Sequence, residues 1–250
     1  MRDRFLDLAG QYAGFTILLS AEYPLESRAG EYEEPDLHIR VDEAMLGLAR
    51  ATFASGGRLV YGGEAEVALF LADVASEYTR PLPAEGQGLS SEGPAENRPA
   101  LFRAYLFSPG LEEQLSLMEQ AGFAQVHRAG DDTREVAERM IRSNRPGALV
   151  CIGGVGDPFF VEGIFRELQP GSPVYALETT GGAARDLAEQ QRENLRVPDR
   201  EILRRLDQLE DEEYAGEDQR TFPELAIPPY PVIMQQIVEE LTGGRNRTRL

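Results

Sequence analysis

The stretch Gly147–Arg185, GALVCIGGVGDPFFVEGIFRELQPGSPVYALETTGGAAR, decides the fold. It reads as strand, glycine turn, helix, strand, glycine turn, helix. Ala148 to Ile152 is a continuous apolar run that stops at Gly153-Gly154, the pattern of a strand buried on both faces. Phe159 to Leu168 carries Phe160, Ile164, Phe165 and Leu168 at helical spacing, and Pro158 suits a first helical turn. Val174 to Leu177 is a second short strand, and Thr179-Thr180-Gly181-Gly182 opens a second helix. Two parallel strands joined by a helix place both glycine turns at the carboxyl edge of one sheet, where open α/β folds bind ligands.

Upstream, the same alternation repeats. Phe15–Leu19, Arg58–Tyr61, Leu101–Phe107 and Gln125–His127 read as strands. Between them lie helical patterns at Leu37–Phe53 (with Asp36 as N-cap), Glu64–Tyr78, Leu111–Ala121 and Asp131–Ser143 (capped by Asp131 or Asp132). Residues 1–14 read as a short helix, 25–36 as a polar, acidic loop, and 79–100 as a long flexible insert rich in Pro, Gly, Ser and Glu. The expected fold is α/β: a Rossmann-like parallel sheet with helices on both faces and right-handed crossovers, over residues 1–192. Residues 193–250 form a helical C-terminal extension, packed on that domain or on a second subunit. It comprises a charged helix Asp199–Glu213, a break at Pro228-Pro229-Tyr230-Pro231, an apolar helix Val232–Leu241, and a tail from Gly243 that should fray.

Composition bounds the chemistry. Of 250 residues, 43 are acidic and 25 basic, a net charge of −18, which disfavours nucleic acid and anionic membranes as partners. All the basic residues are Arg, so a phosphate-binding Walker lysine, a Schiff-base lysine and a lysine general base are excluded. No apolar run approaches the roughly 18 residues of a membrane span, and the N-terminal stretch lacks the layout of a secretory signal. With a single cysteine, Cys151, the expectation is a cytoplasmic protein without disulfides. His38 and His127 lie far apart and make no metal set with Cys151, so neither a metal nor a cofactor is expected.

The candidate site is assembled from the strand ends: Ser20-Ala21-Glu22, Gly62-Gly63-Glu64, Gly153-Gly154-Val155-Gly156-Asp157 and Thr179-Thr180-Gly181-Gly182. Glycine lets backbone N–H groups approach a phosphate, and a following helix N-terminus adds partial positive charge. Arg185 adds a charged contact in the first turn of its helix. Glu22, Glu64, Asp157 and Glu162 are the carboxylates nearest the cleft. They suit ribose hydroxyls in a binding protein, or an anomeric carbon in a glycosidic hydrolase.

These segments resemble the SLOG superfamily, the Rossmann-like clan of the Lonely Guy phosphoribohydrolases and of nucleotide-sensing domains in channels and bacterial defence systems. The matching pieces are FTILLSAEYP, GGRLVYGGEAEVALFLADVA, ALVCIGGVGDPFFVEGIF and PVYALETTGGAARDLA, which together span most of residues 15–190. The pattern is most similar to stand-alone or TIR-associated members. The resemblance implies a nucleotide or NAD-derived ligand held by these loops. The catalytic branch carries Pro-Gly-Gly-x-Gly-Thr-x-x-Glu; here Ile152 replaces the Pro, Asp157 the Thr and Phe160 the Glu. Glu162 lies two positions further, about 200° around a helix. With that Glu replaced, the resemblance implies a sensor rather than an enzyme: a protein that binds ADP-ribose, cyclic ADP-ribose or a related nucleotide in an antiviral defence or stress pathway. Its partners would be a separate effector, of TIR or other type, and a second copy of itself. The alternatives are a nucleotide N-glycosidase using Glu162 or Glu64, and a structural or assembly subunit using the leucine-rich C-terminal helices.

Overall fold

In the computed structural model the described residues are 14–23, 37–79, 101–106, 112–120, 124–128, 132–154, 158–191, 193–199 and 228–247. Six strands, β1 (Thr16–Glu22), β2 (Arg58–Gly63), β3 (Phe102–Leu106), β4 (Ala124–Arg128), β5 (Ala148–Gly153) and β6 (Val174–Leu177), form one sheet. Every pairing is parallel, and the order is β4-β3-β2-β1-β5-β6. The helices are α1 (Leu37–Ala54), α2 (Ala65–Thr79), α3 (Glu112–Gln120), α4 (Thr133–Asn144), α5 (Pro158–Leu168), α6 (Gly182–Gln190) and α7 (Tyr230–Arg247). The Rossmann-like α/β architecture read from the sequence is the architecture found.

The side-chain period of two divides the core into two layers. On one face Ile17, Leu19, Leu59, Tyr61, Phe102, Val150, Ile152 and Leu177 pack with α1, α2, α7 and Leu115 of α3. On the other, Leu18, Val60, Tyr105, Leu149, Cys151 and Ala176 pack with α4, α5 and α6. All six residues of β5 are buried, as its unbroken apolar run requires. The chain leaves β1 for α1 on the first face and leaves β5 for α5 on the second. Because β1 and β5 are neighbours, their connections diverge and open a crevice at the carboxyl edge between them.

Two strands extend beyond the turns expected from the sequence. Ser20, Ala21 and Glu22 pair with Cys151, Ile152 and Gly153, and Gly62 and Gly63 pair with Tyr105 and Leu106. A neighbouring strand that offers ladder partners keeps even glycine extended, so the polar and glycine residues mark strand ends rather than turns. Asp132 is the cap of α4: its carboxylate accepts from the N–H groups of Arg134 and Glu135 at 2.9 and 3.1 Å. The expected helix at 1–14, the loop at 25–36 with the Asp36 cap, and the stretch from 200 to Glu213 lie outside the described residues, as does the insert from residue 80 onward.

The C-terminal segment closes the first face. Residues 193–199 run beside the edge strand: the Ala176 N–H donates to Arg196 O at 3.0 Å, and Arg196 N–H to Val174 O at 3.0 Å. That arrangement covers an otherwise open sheet edge. α7 starts earlier than expected and continues past Gly243 to Arg247, rather than fraying there. Tyr230, Ile233, Met234, Ile237 and Val238 are buried in the same core as α1, worth roughly 2 kcal/mol each in transfer free energy. The apolar face of this helix is therefore covered within the chain.

α7 is pinned to β6 by polar contacts at both ends. Tyr175 donates its hydroxyl to Glu240 at 2.9 Å, and Arg196 pairs with the same carboxylate. At the other end the buried Asp199 accepts from the Thr179 N–H at 2.7 Å and from the Thr179 hydroxyl at 2.6 Å, and that hydroxyl lies 2.8 Å from the Tyr230 hydroxyl. Replacing Thr179 by Val keeps the shape but removes the hydroxyl that both Asp199 and Tyr230 contact. Thr179→Val should lower unfolding free energy by about 1 to 2 kcal/mol in urea titrations, with Thr179→Ser recovering most of it.

Candidate functional site

The carboxyl ends of β1, β2 and β5 and the first turns of α4, α5 and α6 enclose a cavity of about 440 Å³. Small-molecule sites are commonly roughly 300 to 1,000 Å³, so a nucleoside-sized ligand fits. The strand ends contribute Ser20, Ala21, Glu22, Tyr61, Gly62, Gly63, Glu64, Cys151, Gly153 and Gly154. The helices contribute Thr133 from α4, Phe160 and Val161 from α5, and Ala183, Ala184 and Leu187 from α6. The lining includes hydroxyl residues (Ser20, Tyr61, Thr133), two carboxylate residues (Glu22, Glu64) and apolar residues. No group of His, Cys, Asp and Glu among the described residues is arranged to hold a metal ion.

The glycine turns are bonded to each other and to β1. The Gly153 N–H donates to the Thr180 hydroxyl at 2.8 Å, and that hydroxyl donates to Leu177 O at 2.7 Å. The Gly154 N–H donates to Glu22 O at 2.7 Å, and Gly154 O accepts from the Ala183 N–H at 3.0 Å. The Gly181 N–H turns back to Glu178 O at 3.1 Å. Amides that the sequence offers as a phosphate cradle are thus committed to holding the β5–α5 and β6–α6 turns together. At Gly182, with φ +54°, a Cβ would lie 2.3 Å from Gly154 O, so only glycine allows this approach.

Tyr61 sits under the strand ends. Its fully buried hydroxyl accepts from the Glu64 N–H at 2.9 Å and fills the space a side chain at Gly63 would need. Burial, reinforced by the nearby carboxylates of Glu64 and Glu22, raises its pKa, so the hydroxyl stays protonated. Burial also pushes the Cys151 thiol up to about 12, which makes it a poor nucleophile. Glu162 is buried on α5 but outside the cavity wall; its carboxylate pairs with Arg166 and accepts from Gln191 Nε2 at 3.5 Å. Phe160, two positions earlier on the helix, takes the place facing the cavity.

Of the residues singled out from sequence, Ser20, Ala21, Glu22, Gly62, Gly63, Glu64, Gly153 and Gly154 line the cavity. Thr179, Thr180, Gly181, Gly182 and Arg185 do not line it: Thr179 ties α7 down, Thr180 ties the two turns, and Gly182 permits their contact. Val155, Gly156 and Asp157 lie outside the described residues. The sequence reading did not assign Tyr61, Thr133, Cys151, Phe160, Val161, Ala183, Ala184 or Leu187 to the site. Thr133 and Ala183 were accessible in principle, because each sits in the first turn of a helix that starts at the carboxyl edge. Tyr61 carried no such signal, since its aromatic ring reads as core.

Two measurements check this geometry. Gly182→Ala should cost about 2 kcal/mol or more in chemical denaturation, while Gly163→Ala, with open space in α5, should be neutral or stabilise by about 0.5 to 1 kcal/mol. At pH 8, Cys151 should resist iodoacetamide in the native protein and react readily once guanidine unfolds it, as read by mass spectrometry.

A family model described as the SLOG cluster3 family matches residues 113–205, well under half of the chain. That span contains the β5–α5–β6–α6 unit and therefore both glycine turns and the α4, α5 and α6 walls of the cavity. No curated protein and no solved structure matches the chain. The match, over residues 113–205 of a chain with a six-stranded parallel sheet, supports SLOG superfamily membership.

Proposed function

We propose that this chain is a nucleotide-binding sensor that takes ADP-ribose, cyclic ADP-ribose or another nucleotide or NAD-derived ligand into the switch-point cavity. It acts with a separate effector in a bacterial stress or defence pathway. The observation that carries this reading is Phe160. In the position where the hydrolytic relatives of the first glycine motif place their catalytic Glu, the cavity wall presents an aromatic ring. Glu162 does not substitute for it, because its carboxylate is engaged by Arg166 away from the cavity. The apolar wall of Phe160, Val161 and Leu187 suits a nucleobase, and Glu22 and Glu64 suit ribose hydroxyls as hydrogen-bond acceptors.

One observation favours the N-glycosidase alternative: Glu22 and Glu64 both line the cavity, so an acid is within reach of a bound riboside. For the assembly alternative, the apolar face of α7 is buried against α1, while the other leucine-rich stretch, from residue 200 to Glu213, lies outside the described residues.

Thermal shift with ADP-ribose, cyclic ADP-ribose, NAD and AMP, together with chromatography of the mixtures, separates these readings. A stabilising shift with every nucleotide recovered intact is the expected result. Free adenine or nicotinamide would move the assignment to the hydrolase, and no shift with any of the four would remove the nucleotide reading. Phe160→Ala should weaken the binding by about tenfold or more through lost stacking area.

A further inference from the structure

The β6–α6 turn carries two consecutive threonines with different destinations. Thr180 reaches the β5–α5 turn: its hydroxyl accepts from the Gly153 N–H at 2.8 Å and donates to Leu177 O at 2.7 Å. Thr179 reaches the C-terminal segment. Its N–H and hydroxyl donate to the buried Asp199 carboxylate at 2.7 and 2.6 Å, and its hydroxyl lies 2.8 Å from that of Tyr230, the buried first residue of α7. The Thr179 carbonyl accepts from Arg40 Nη1 of α1 at 3.4 Å. Further along the same turn, Ala183 donates its N–H to Gly154 O at 3.0 Å and, with Ala184 and Leu187, walls the cavity. The turn between these contacts has no slack. A Cβ on Gly181 would lie 2.8 Å from Leu37 Cδ1 of α1, and one on Gly182 would lie 2.3 Å from Gly154 O. A segment wedged this closely between α1 and the β5–α5 turn leaves its seat as a unit rather than residue by residue.

Resting on the proposal that the cavity binds a nucleotide-type ligand, we infer that this turn is the sensor's internal relay. Occupancy of the cavity is passed through Thr179 to the 193–199 segment and the first turns of α7. A ligand held against Ala183, Ala184 and Leu187 keeps its full contact only while the turn is seated. Opening of the turn breaks the Thr180 bond to Gly153 and the Thr179 bonds to Asp199 together, because the two threonines are joined by one peptide bond. A ligand that binds the seated form alone suppresses that opening in proportion to its concentration over Kd, about 100-fold at 100 times Kd. The same suppression then appears at Asp199 and Tyr230, which are outside the cavity wall. Thr179 is a positioning residue in this scheme, since it too is outside the wall and acts on the C-terminal helix.

Hydrogen-exchange mass spectrometry of the full chain, with and without ADP-ribose, tests this. In the wild type, ligand at about 100 times Kd should slow exchange in residues 174–185, 193–199 and 229–236, by up to about 100-fold. Protection confined to 174–185 overturns the inference while leaving the nucleotide reading in place. Thr179→Val should bind ADP-ribose with Kd within about threefold of wild type and keep the protection at 174–185, yet lose it at 193–199 and 229–236. Protection that persists there in Thr179→Val overturns the relay. A second arm needs no ligand. Thr180→Val removes the acceptor of the Gly153 N–H and should speed exchange at 193–199 and 229–236 by about tenfold, with β3 unchanged and Thr180→Ser silent. Wild-type rates at those two segments in Thr180→Val overturn the inference whatever the ligand does. Acceleration there, with no protection from ADP-ribose, cyclic ADP-ribose, NAD or AMP, supports the relay and overturns the nucleotide reading.

Discussion

The structure depends on the bond between the Gly153 N–H and the Thr180 hydroxyl, 27 positions apart in the chain. With the Gly154–Glu22 and Ala183–Gly154 bonds, it joins β1, β5 and the β6–α6 turn into one unit at the carboxyl edge. The buried Gly153 amide would otherwise be an unpaired polar group costing about 1 to 3 kcal/mol. The arrangement is possible only because Gly182 lacks a side chain, so sequence composition and tertiary geometry are locked to one another here. The position of the α6 walls of the cavity, Ala183, Ala184 and Leu187, is set by this joint.

Function at this edge is shaped by what the joint consumes. In a sheet of this topology the crevice between β1 and β5 lies where connections diverge to opposite faces, so a ligand cavity there needs no special loop. Its chemistry, however, comes from the groups that face it. Among the described residues, several glycine amides and the α4 cap are committed, and the wall includes carboxylate and hydroxyl side chains together with apolar ones. The C-terminal helix is linked to the same joint through Thr179, whose neighbour Thr180 holds Gly153 while Thr179 itself holds Asp199 and Tyr230.

Much of the fold was legible because its signals are local. The apolar run of β5, the helical stripes of α1 and α5 and the Asp132 cap each depend on residues within one element, and periodicity reports them directly. The expected turns at Ser20–Glu22 and Gly62–Gly63 proved to be strand, since an extended glycine is stabilised by partners in β5 and β3 that local pattern does not contain. Half of the candidate site was legible for the same reason: strand ends are marked by small and polar residues. The Thr179–Gly182 turn lies nearby in the fold but faces inward, and no local feature distinguishes a threonine aimed at a ligand from one aimed at a neighbouring turn.

The sequence by itself determined the alternation of strands and helices, the parallel sheet, the carboxyl edge as the place where small residues gather, and the absence of lysine chemistry. Tertiary structure alone decided which glycine amides are committed, which side of the sheet holds the cavity, and that Phe160 rather than Glu162 faces it. Element formation is driven by short-range periodicity and burial, which any stretch of chain carries within itself. The destination of a hydrogen-bond donor is set by whichever group, close or remote along the chain, folding brings within about 3 Å of it.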